Sequence, residues 1–161
     1  MLSRERGMAS VVKEVRRPQM ATQVSESFTV SDSDQAWGVV CDVSKLVPCV
    51  PGAKIMDADG PTKATAEIKV DMGSMAMKFK GPVEIVETDD SARRAVIKAN
   101  AKEEGGQSNA DGTVTITISG DGGKVDATAN VSGKAASMGE GTVQAVLTQL
   151  VKQFTGNLAK A

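Results

Sequence analysis

The sequence predicts an α+β fold in which a curved antiparallel sheet of seven strands wraps around one long C-terminal helix. Helical periodicity of apolar residues is confined to the end of the chain, and most of what precedes it alternates between apolar and polar residues. Short glycine-rich turns join the alternating stretches, which favours strands that pair with their neighbours in the chain. At 161 residues, the chain is long enough for one domain with one core.

The first predicted elements are a strand and two short helices. The stretch 23–30, QVSESFTV, alternates as a strand with one buried face should. Ser31 or Asp32 can cap a short helix, from which Trp37 faces inward. A second short helix ends near Pro48, because proline disfavours helical backbone in the residue before it. Both helices therefore lie between the first and second strands.

Six further strands complete the predicted sheet. They are expected over residues 53–58, 62–72, 75–87, 92–103, 107–119 and 124–132. Gly81 followed by Pro82 predicts a bend or bulge in the third of these, because proline cannot donate a hydrogen bond to a neighbouring strand.

The helical pattern occupies the last 27 residues, 135–161. Apolar residues recur there at spacings of three and four, which places them on one stripe. The stripe consists of Val143, Leu147, Leu150, Val151, Phe154 and Leu158. A helix of about 25 residues would be about 37 Å long, so the sheet that receives it must be wide.

The composition argues against several classes of function. With 19 Lys and Arg residues against 20 Asp and Glu, the net charge is −1, so the basic field of a nucleic-acid-binding protein is missing. One Trp, three Phe and no Tyr leave little aromatic surface for base stacking. The absence of His removes the commonest general base and the most frequent ligand of zinc, copper and iron. We therefore expect a protein that is not an enzyme and that carries no metal or cofactor.

Residues 1–21 are basic, with five Lys and Arg residues against two Glu residues, so we expect a flexible arm ahead of a single domain at 22–161. No apolar run reaches the roughly 20 residues that cross a bilayer. We therefore expect a cytoplasmic protein and leave open a contact with the inner face of the membrane.

Cys41 and Cys49 are expected to be free thiols in a reducing compartment rather than a disulfide.

Small side chains dominate the sheet face that would meet the helix. They are Ala64, Ala66, Ala95, Ala99, Ala101, Ala110, Gly112, Ala127 and Ala129. Protein interiors pack to a density of about 0.74, so such a floor must be filled from elsewhere or remain open. We predict a cavity for an elongated hydrophobic molecule, with adaptable methionines in its wall. The alternative is that the alanines let the helix settle closer to the sheet.

The predicted cavity combines residues from the strands and from the helices. Its lining is expected to be Trp37, Leu46, Ala66, Ile68, Met75, Met77, Phe79, Ala99, Ala127, Met138, Val143 and Leu147. The rim is expected at residues 47–52, at residues 73–77 and around Met138. The alternation of the first strand places Glu26 on the inward face. Its carboxylate is either a polar anchor for a ligand or, as we favour, paired with a basic residue or solvated at the rim.

Four motifs together resemble the family of the carbon monoxide dehydrogenase G subunit. They are CVPGAK at 49–54, MGSMAMKFKGPVEI at 72–85, GGQSNADGTVTI at 105–116 and SGKAASMG at 132–139. The resemblance covers about residues 22–158 and is specific only as a combination. It implies the helix-grip fold of the START-like, or polyketide cyclase-like (SRPBCC), superfamily.

The resemblance also implies a partner and a ligand. Members of the family are associated with molybdenum hydroxylases of the carbon monoxide dehydrogenase type, so we expect a non-enzymatic carrier of a lipid or an isoprenoid quinone beside such an enzyme. The alternative is an assembly or membrane-recruitment factor that acts through its surface and binds no ligand. A cyclase or hydrolase, as found among some helix-grip relatives, is disfavoured by the absence of His and Tyr.

Overall fold

Seven strands form one antiparallel sheet in the part of the chain that the computed structural model describes, namely residues 19–71, 76–106 and 108–160. The side chains of residues 19–21 and 138 are outside this description. The strands are β1 (Gln19–Thr29), β2 (Ala53–Asp59), β3 (Lys63–Asp71), β4 (Ala76–Asp89), β5 (Arg94–Glu103), β6 (Ser108–Ser119) and β7 (Gly122–Gly133). Their order across the sheet is β1-β7-β6-β5-β4-β3-β2. The predicted fold class and strand count are confirmed.

Two short helices, α1 (Ser33–Val40) and α2 (Val43–Leu46), connect β1 to β2. Because these strands form opposite edges of the sheet, the connection must cross its full width. Of the two N-caps considered for α1, Asp32 is the one used: its carboxylate accepts hydrogen bonds from two backbone N–H groups of the first turn, each at 3.1 Å. Asp42 caps α2 in the same way, through the N–H of Ser44 at 2.9 Å.

The strands begin and end within a few residues of the predicted positions. β1 starts at Gln19, ahead of the domain boundary expected at residue 22. Most of the expected basic arm, residues 1–18, lies outside the described residues. At Gly81, β5 comes so close to β4 that an added Cβ atom would lie 2.0 Å from the carbonyl oxygen of Asn100. The pairing register of β4 with β5 is the same before and after Gly81 and Pro82, where a bend or bulge was predicted, and shifts instead between Ile85 and Glu87.

The C-terminal helix, α3 (Glu140–Ala159), has 20 residues rather than about 25. It begins at Glu140 because Gly139 has φ 99° and ψ 149°, a conformation that ends the preceding turn and that side-chain-bearing residues rarely adopt. The residues before it, Ala136–Met138, form a 3₁₀ turn. The apolar stripe predicted for α3 lies on this helix, and four of its six residues are buried: Val143, Val151, Phe154 and Leu158.

Polar contacts fix α3 towards both of its ends. Near the start, the amide of Gln144 donates to the carbonyl oxygen of Gln23 in β1 at 3.3 Å. Near the end, the amide of Asn157 donates to the carbonyl oxygen of Cys49 at 2.8 Å. The helix is therefore tied both to an edge strand and to the turn that follows α2.

Buried apolar residues form two separate clusters on the face of the sheet that meets the helices, here called the inner face. The main cluster joins α1, α2 and the second half of α3 to the sheet, and Ile116, Val125 and Leu158 are fully buried in it. The second cluster joins the start of α3 to the ends of β3, β4 and β7, and includes Met77 and Val143. The space between the two clusters is where the candidate site lies.

Gly81→Ala is expected to destabilise the protein by about 1–3 kcal/mol, because the added methyl group must push β5 away from β4. The free energy of unfolding, measured by urea denaturation, tests this expectation. Gly156→Ala is the matched control: Gly156 is exposed within α3 with no neighbouring element within 4 Å, so alanine should stabilise the helix by about 0.5–1 kcal/mol. An unchanged stability of Gly81→Ala would contradict the close approach of the two strands.

Candidate functional site

A cavity of about 270 Å³ lies between α3 and the inner face of the sheet. For comparison, a cavity of about 150 Å³ with apolar walls is enough to bind benzene. The lining residues are Leu46, Val47, Val50, Ala53, Ala66, Glu67, Ile68, Phe79, Val83, Ile97, Ala99, Ala101, Val114, Ile116, Val125, Ala127, Leu147, Leu150, Val151 and Phe154. The cavity therefore has room for a small hydrophobic molecule or for a segment of a longer one.

Alanine side chains on three strands of the sheet leave much of this space open. Ala66, Ala99, Ala101 and Ala127 lie on β3, β5 and β7 and present one methyl group each to the cavity. Across from them, Leu147 and Leu150 of α3 are only half-buried, although they belong to the apolar stripe of the helix. The helix and the sheet do not close on each other along this part of their contact.

The end of α2 and the loop that follows it form part of the cavity wall. Leu46 and Val47 are buried and Val50 is half-buried, and all three line the wall. The hydrogen bond from Asn157 to the carbonyl oxygen of Cys49 holds this loop against α3. Of the segment that sequence analysis expected at the rim, residues 47–52, Val47 and Val50 line the wall.

Seven of the residues predicted to line the cavity lie together in its wall. They are Leu46, Ala66, Ile68, Phe79, Ala99, Ala127 and Leu147. Two more fall outside the description: Met75 among the undescribed residues, and Met138 because its side chain is not described. The assignment of all these residues to a ligand site remains a prediction.

Trp37 does not line the cavity. Its indole N–H donates to a carboxylate oxygen of Asp90 at 3.2 Å, in the turn between β4 and β5. The same turn is held to α1 by an ion pair between Arg93 and Asp34. The ring is half-buried and packs against the main cluster. Trp37 therefore anchors α1.

Met77 and Val143 do not line the cavity either. Their exposed fractions are 2% and 5%, and both lie in the second cluster with Val131 and Ala135. Sequence analysis placed both residues on the correct face, but the start of α3 packs directly on the sheet there. The space that they were expected to border is filled by their own side chains.

Several lining residues were missed by sequence reasoning. Val83 and Val114 occupy inward positions of predicted strands, and Leu150 and Phe154 belong to the predicted stripe of α3. The signal that could have found them was present, because each had the correct phase. The sequence pattern does not contain the distance between α3 and the inner face of the sheet, and this distance decides which inward residues border open space.

No polar side chain of these lining residues faces the cavity. Glu67 is the charged member, but its strand alternates so that its carboxylate lies on the outer face, 3.6 Å from the ammonium group of Lys78. Glu26, considered as an anchor from its phase, pairs with Val125 across β1 and β7 and does not line the cavity. Within the described residues, no group of three or more His, Cys, Asp or Glu side chains is placed to hold a metal ion.

A groove of about 400 Å³ adjoins the cavity and is more polar. Leu150 lines both spaces. The groove runs between the middle of α3, the end of β3 and the loop at Pro51 and Gly52, and it carries the side chains of Gln149 and Gln153. Since it shares Leu150 with the cavity, the groove is here called the mouth.

Both cysteines are free and half-buried. Burial raises the pKa of the Cys41 thiol, and the nearby carboxylate of Asp90 raises it further. Burial also raises the pKa of the Cys49 thiol, whose sulfur lies 3.6 Å from the carbonyl oxygen of Lys45. Neither environment favours the thiolate, which is the reactive form.

Both thiols are expected to react with iodoacetamide more slowly in the folded protein than in urea at near-neutral pH, because their folded-state pKa values lie above the unfolded value of 9.0. Because each thiol has a higher pKa in the folded protein than in the unfolded chain, both thiols contribute to stability below pH 9.0. This contribution is lost as the pH rises through the folded-state pKa values. Mass spectrometry of alkylated protein measures the rates, and Cys41→Ser and Cys49→Ser assign them. Faster alkylation of the folded chain would contradict the burial of the thiols.

Among the described residues, no helix is both long enough and apolar enough to cross a membrane.

The sequence matches a known family over most of its length. Residues 27–161 match the model of the CoxG family, described as the G subunit of carbon monoxide dehydrogenase. This range includes every residue that lines the cavity. No curated protein matches the sequence.

Solved structures with the same fold come from several organisms. A conserved protein from Geobacillus kaustophilus is 20% identical, covers 87% of this chain and 93% of its own, and has a TM-score of 0.68. The Zhui aromatase/cyclase from Streptomyces sp. R1128 is 12% identical, covers 88% and 92%, and has a TM-score of 0.59. Truncated norcoclaurine synthase from Thalictrum flavum is 12% identical, covers 92% and 96%, and has a TM-score of 0.57. At these identities the comparison establishes a shared helix-grip fold and does not transfer an activity.

Proposed function

Because the chain belongs to the CoxG family of the carbon monoxide dehydrogenase G subunit, we propose that it is a non-enzymatic carrier that holds a hydrophobic molecule between its sheet and α3. The ligand is an elongated lipid or isoprenoid quinone. The carrier works beside a molybdenum hydroxylase of the carbon monoxide dehydrogenase type. The family membership supports the association with that dehydrogenase, and the site geometry supports the class of ligand.

The observation that carries the proposal is the apolar cavity of about 270 Å³ between α3 and the sheet. Each methylene group moved from water into such a site contributes about 0.8 kcal/mol. Affinity would therefore grow with the length of the alkyl or isoprenoid chain. The wall binds through its apolar surface, so it suits a range of related alkyl or isoprenoid chains.

The wall also favours binding over catalysis. Acid–base or nucleophilic chemistry requires a group within hydrogen-bonding reach of the reacting atom. The lining side chains that face the cavity are aliphatic or phenylalanine, and the carboxylate of Glu67 lies on the other side of the sheet. The aromatase/cyclase and norcoclaurine synthase share the fold with this chain, and their reactions are properties of their own sites.

Ala99→Phe is expected to abolish binding of N-phenyl-1-naphthylamine, a neutral fluorescent probe, because the phenyl ring would occupy the cavity from the middle of β5. Probe fluorescence measures binding, and circular dichroism checks that the fold is retained. Ala127→Phe, from β7, tests the same space at a more buried position.

The matched control is Asn100→Phe. Asn100 is the next residue of β5, is exposed, and faces the opposite side of the sheet, so its substitution should leave probe binding unchanged. Undiminished binding in both Ala99→Phe and Ala127→Phe would refute the cavity as the ligand site. Loss of binding in Asn100→Phe as well would point to a general effect on the sheet.

An assembly or recruitment factor that acts through its surface is the alternative for this family member. The two proposals differ in what they require of the cavity. If Ala99→Phe still captures the partner dehydrogenase in a pull-down and supports its activity in cells, the surface is sufficient. If capture persists but dehydrogenase activity in cells is lost, the ligand is required.

A further inference from the structure

The groove is formed by the loop after α2, by β3 and by α3, and each of these also contributes residues to the cavity. Val50 and Ala53 line the cavity, and Pro51 and Gly52 between them line the groove. On β3, Ile68 lines the cavity and Val70 the groove. A ligand longer than the cavity can therefore extend into this groove.

Two side-chain amides of α3 border the groove and have no role in holding the helix. Gln149 and Gln153 lie four residues apart, on one side of the helix, and both are exposed. In the described part of the chain neither amide has a hydrogen-bond partner, whereas Gln144 and Asn157 of the same helix donate to backbone carbonyl oxygens. The donors and acceptors of Gln149 and Gln153 are thus available to a ligand.

The contrast between the two spaces favours a ligand with one polar end. A hydroxyl or carbonyl group buried without a hydrogen bond costs about 1–3 kcal/mol, and no lining side chain of the cavity offers such a bond. In the groove the same group can bond to an amide and stay in contact with water. The polar end of a bound molecule is therefore more stable in the groove than in the cavity.

The charges around the groove argue for an uncharged polar end. Lys69 and Asp71, of opposite sign, both line it. Side-chain amides recognise neutral oxygens through hydrogen bonds and contribute no net charge. The groove therefore lacks the excess of cations expected at a site for carboxylates or phosphates.

We propose that the groove is a head-group subsite: Gln149 and Gln153 bind an uncharged hydroxyl or carbonyl oxygen at the polar end of an amphipathic ligand whose apolar chain fills the cavity. This inference rests on the proposed carrier function, since the apolar chain must occupy the cavity for its head to reach the groove. It assigns to the two glutamines the selection of the ligand's polar end.

The test compares n-octane and 1-octanol, which differ by one hydroxyl group, as competitors of N-phenyl-1-naphthylamine. In the double variant Gln149→Met/Gln153→Met, which keeps the side-chain length but removes the amides, the affinity for 1-octanol should fall about tenfold. The affinity for n-octane should not fall. Gln35→Met, an exposed glutamine of α1, is the matched control and should change neither affinity.

The outcomes separate this inference from the carrier function. If n-octane displaces the probe but the double variant binds 1-octanol as tightly as the unsubstituted protein, the subsite is refuted and the cavity stands. An equal loss for both competitors also refutes it, because the amides would then act through packing. If octanoate competes more strongly than 1-octanol and is weakened by the double variant, the head group is anionic and the proposal of an uncharged one is wrong. If neither competitor nor probe binds, the carrier function fails and this inference fails with it.

Discussion

The cavity depends on a helix that is held towards both ends above a floor of alanine. The hydrogen bonds from Gln144 to β1 and from Asn157 to the loop after α2 hold α3, together with its buried residues in the two clusters. An α-helix is a stiff rod on this length scale, so its middle cannot drop towards the sheet while its ends are fixed. The methyl groups of Ala99 and Ala101 are too short to bridge the gap. Neither surface can therefore fill the space without a change of sequence.

Two packed clusters on either side allow the protein to keep this unfilled space. An empty site loses dispersion contacts that a packed core would make, and the loss must be offset elsewhere. The main cluster, with Ile116 and Leu158 fully buried, and the second cluster, with Met77 almost fully buried, supply that packing. An ion pair and the indole hydrogen bond of Trp37 also hold α1 to the turn after β4. The site is thus a gap between two cores.

Apolar and polar groups contribute differently to ligand binding: apolar surface gives affinity, and hydrogen-bonding groups give selectivity. An apolar wall binds by excluding water, a force that has no direction and discriminates poorly between related chains. Hydrogen bonds discriminate well, because an unpaired buried partner is costly. In this fold the wall is apolar, and the free amides of Gln149 and Gln153 lie at the mouth. A carrier of the kind proposed must hold its ligand and also release it, and this division of roles would serve both.

The sequence alone determined the features that are local: the periods of strand and helix, an N-cap of α1 at Ser31 or Asp32, and the presence of alanine on the inner face. The motifs also predicted the family that the comparison established. Only the tertiary structure decided which inward residues border open space. Met77 and Val143 have the same phase as residues of the wall, yet both are packed within the second cluster. Hydrophobic periodicity specifies the face of an element on which a side chain lies, but the separation between two faces depends on contacts made at their ends.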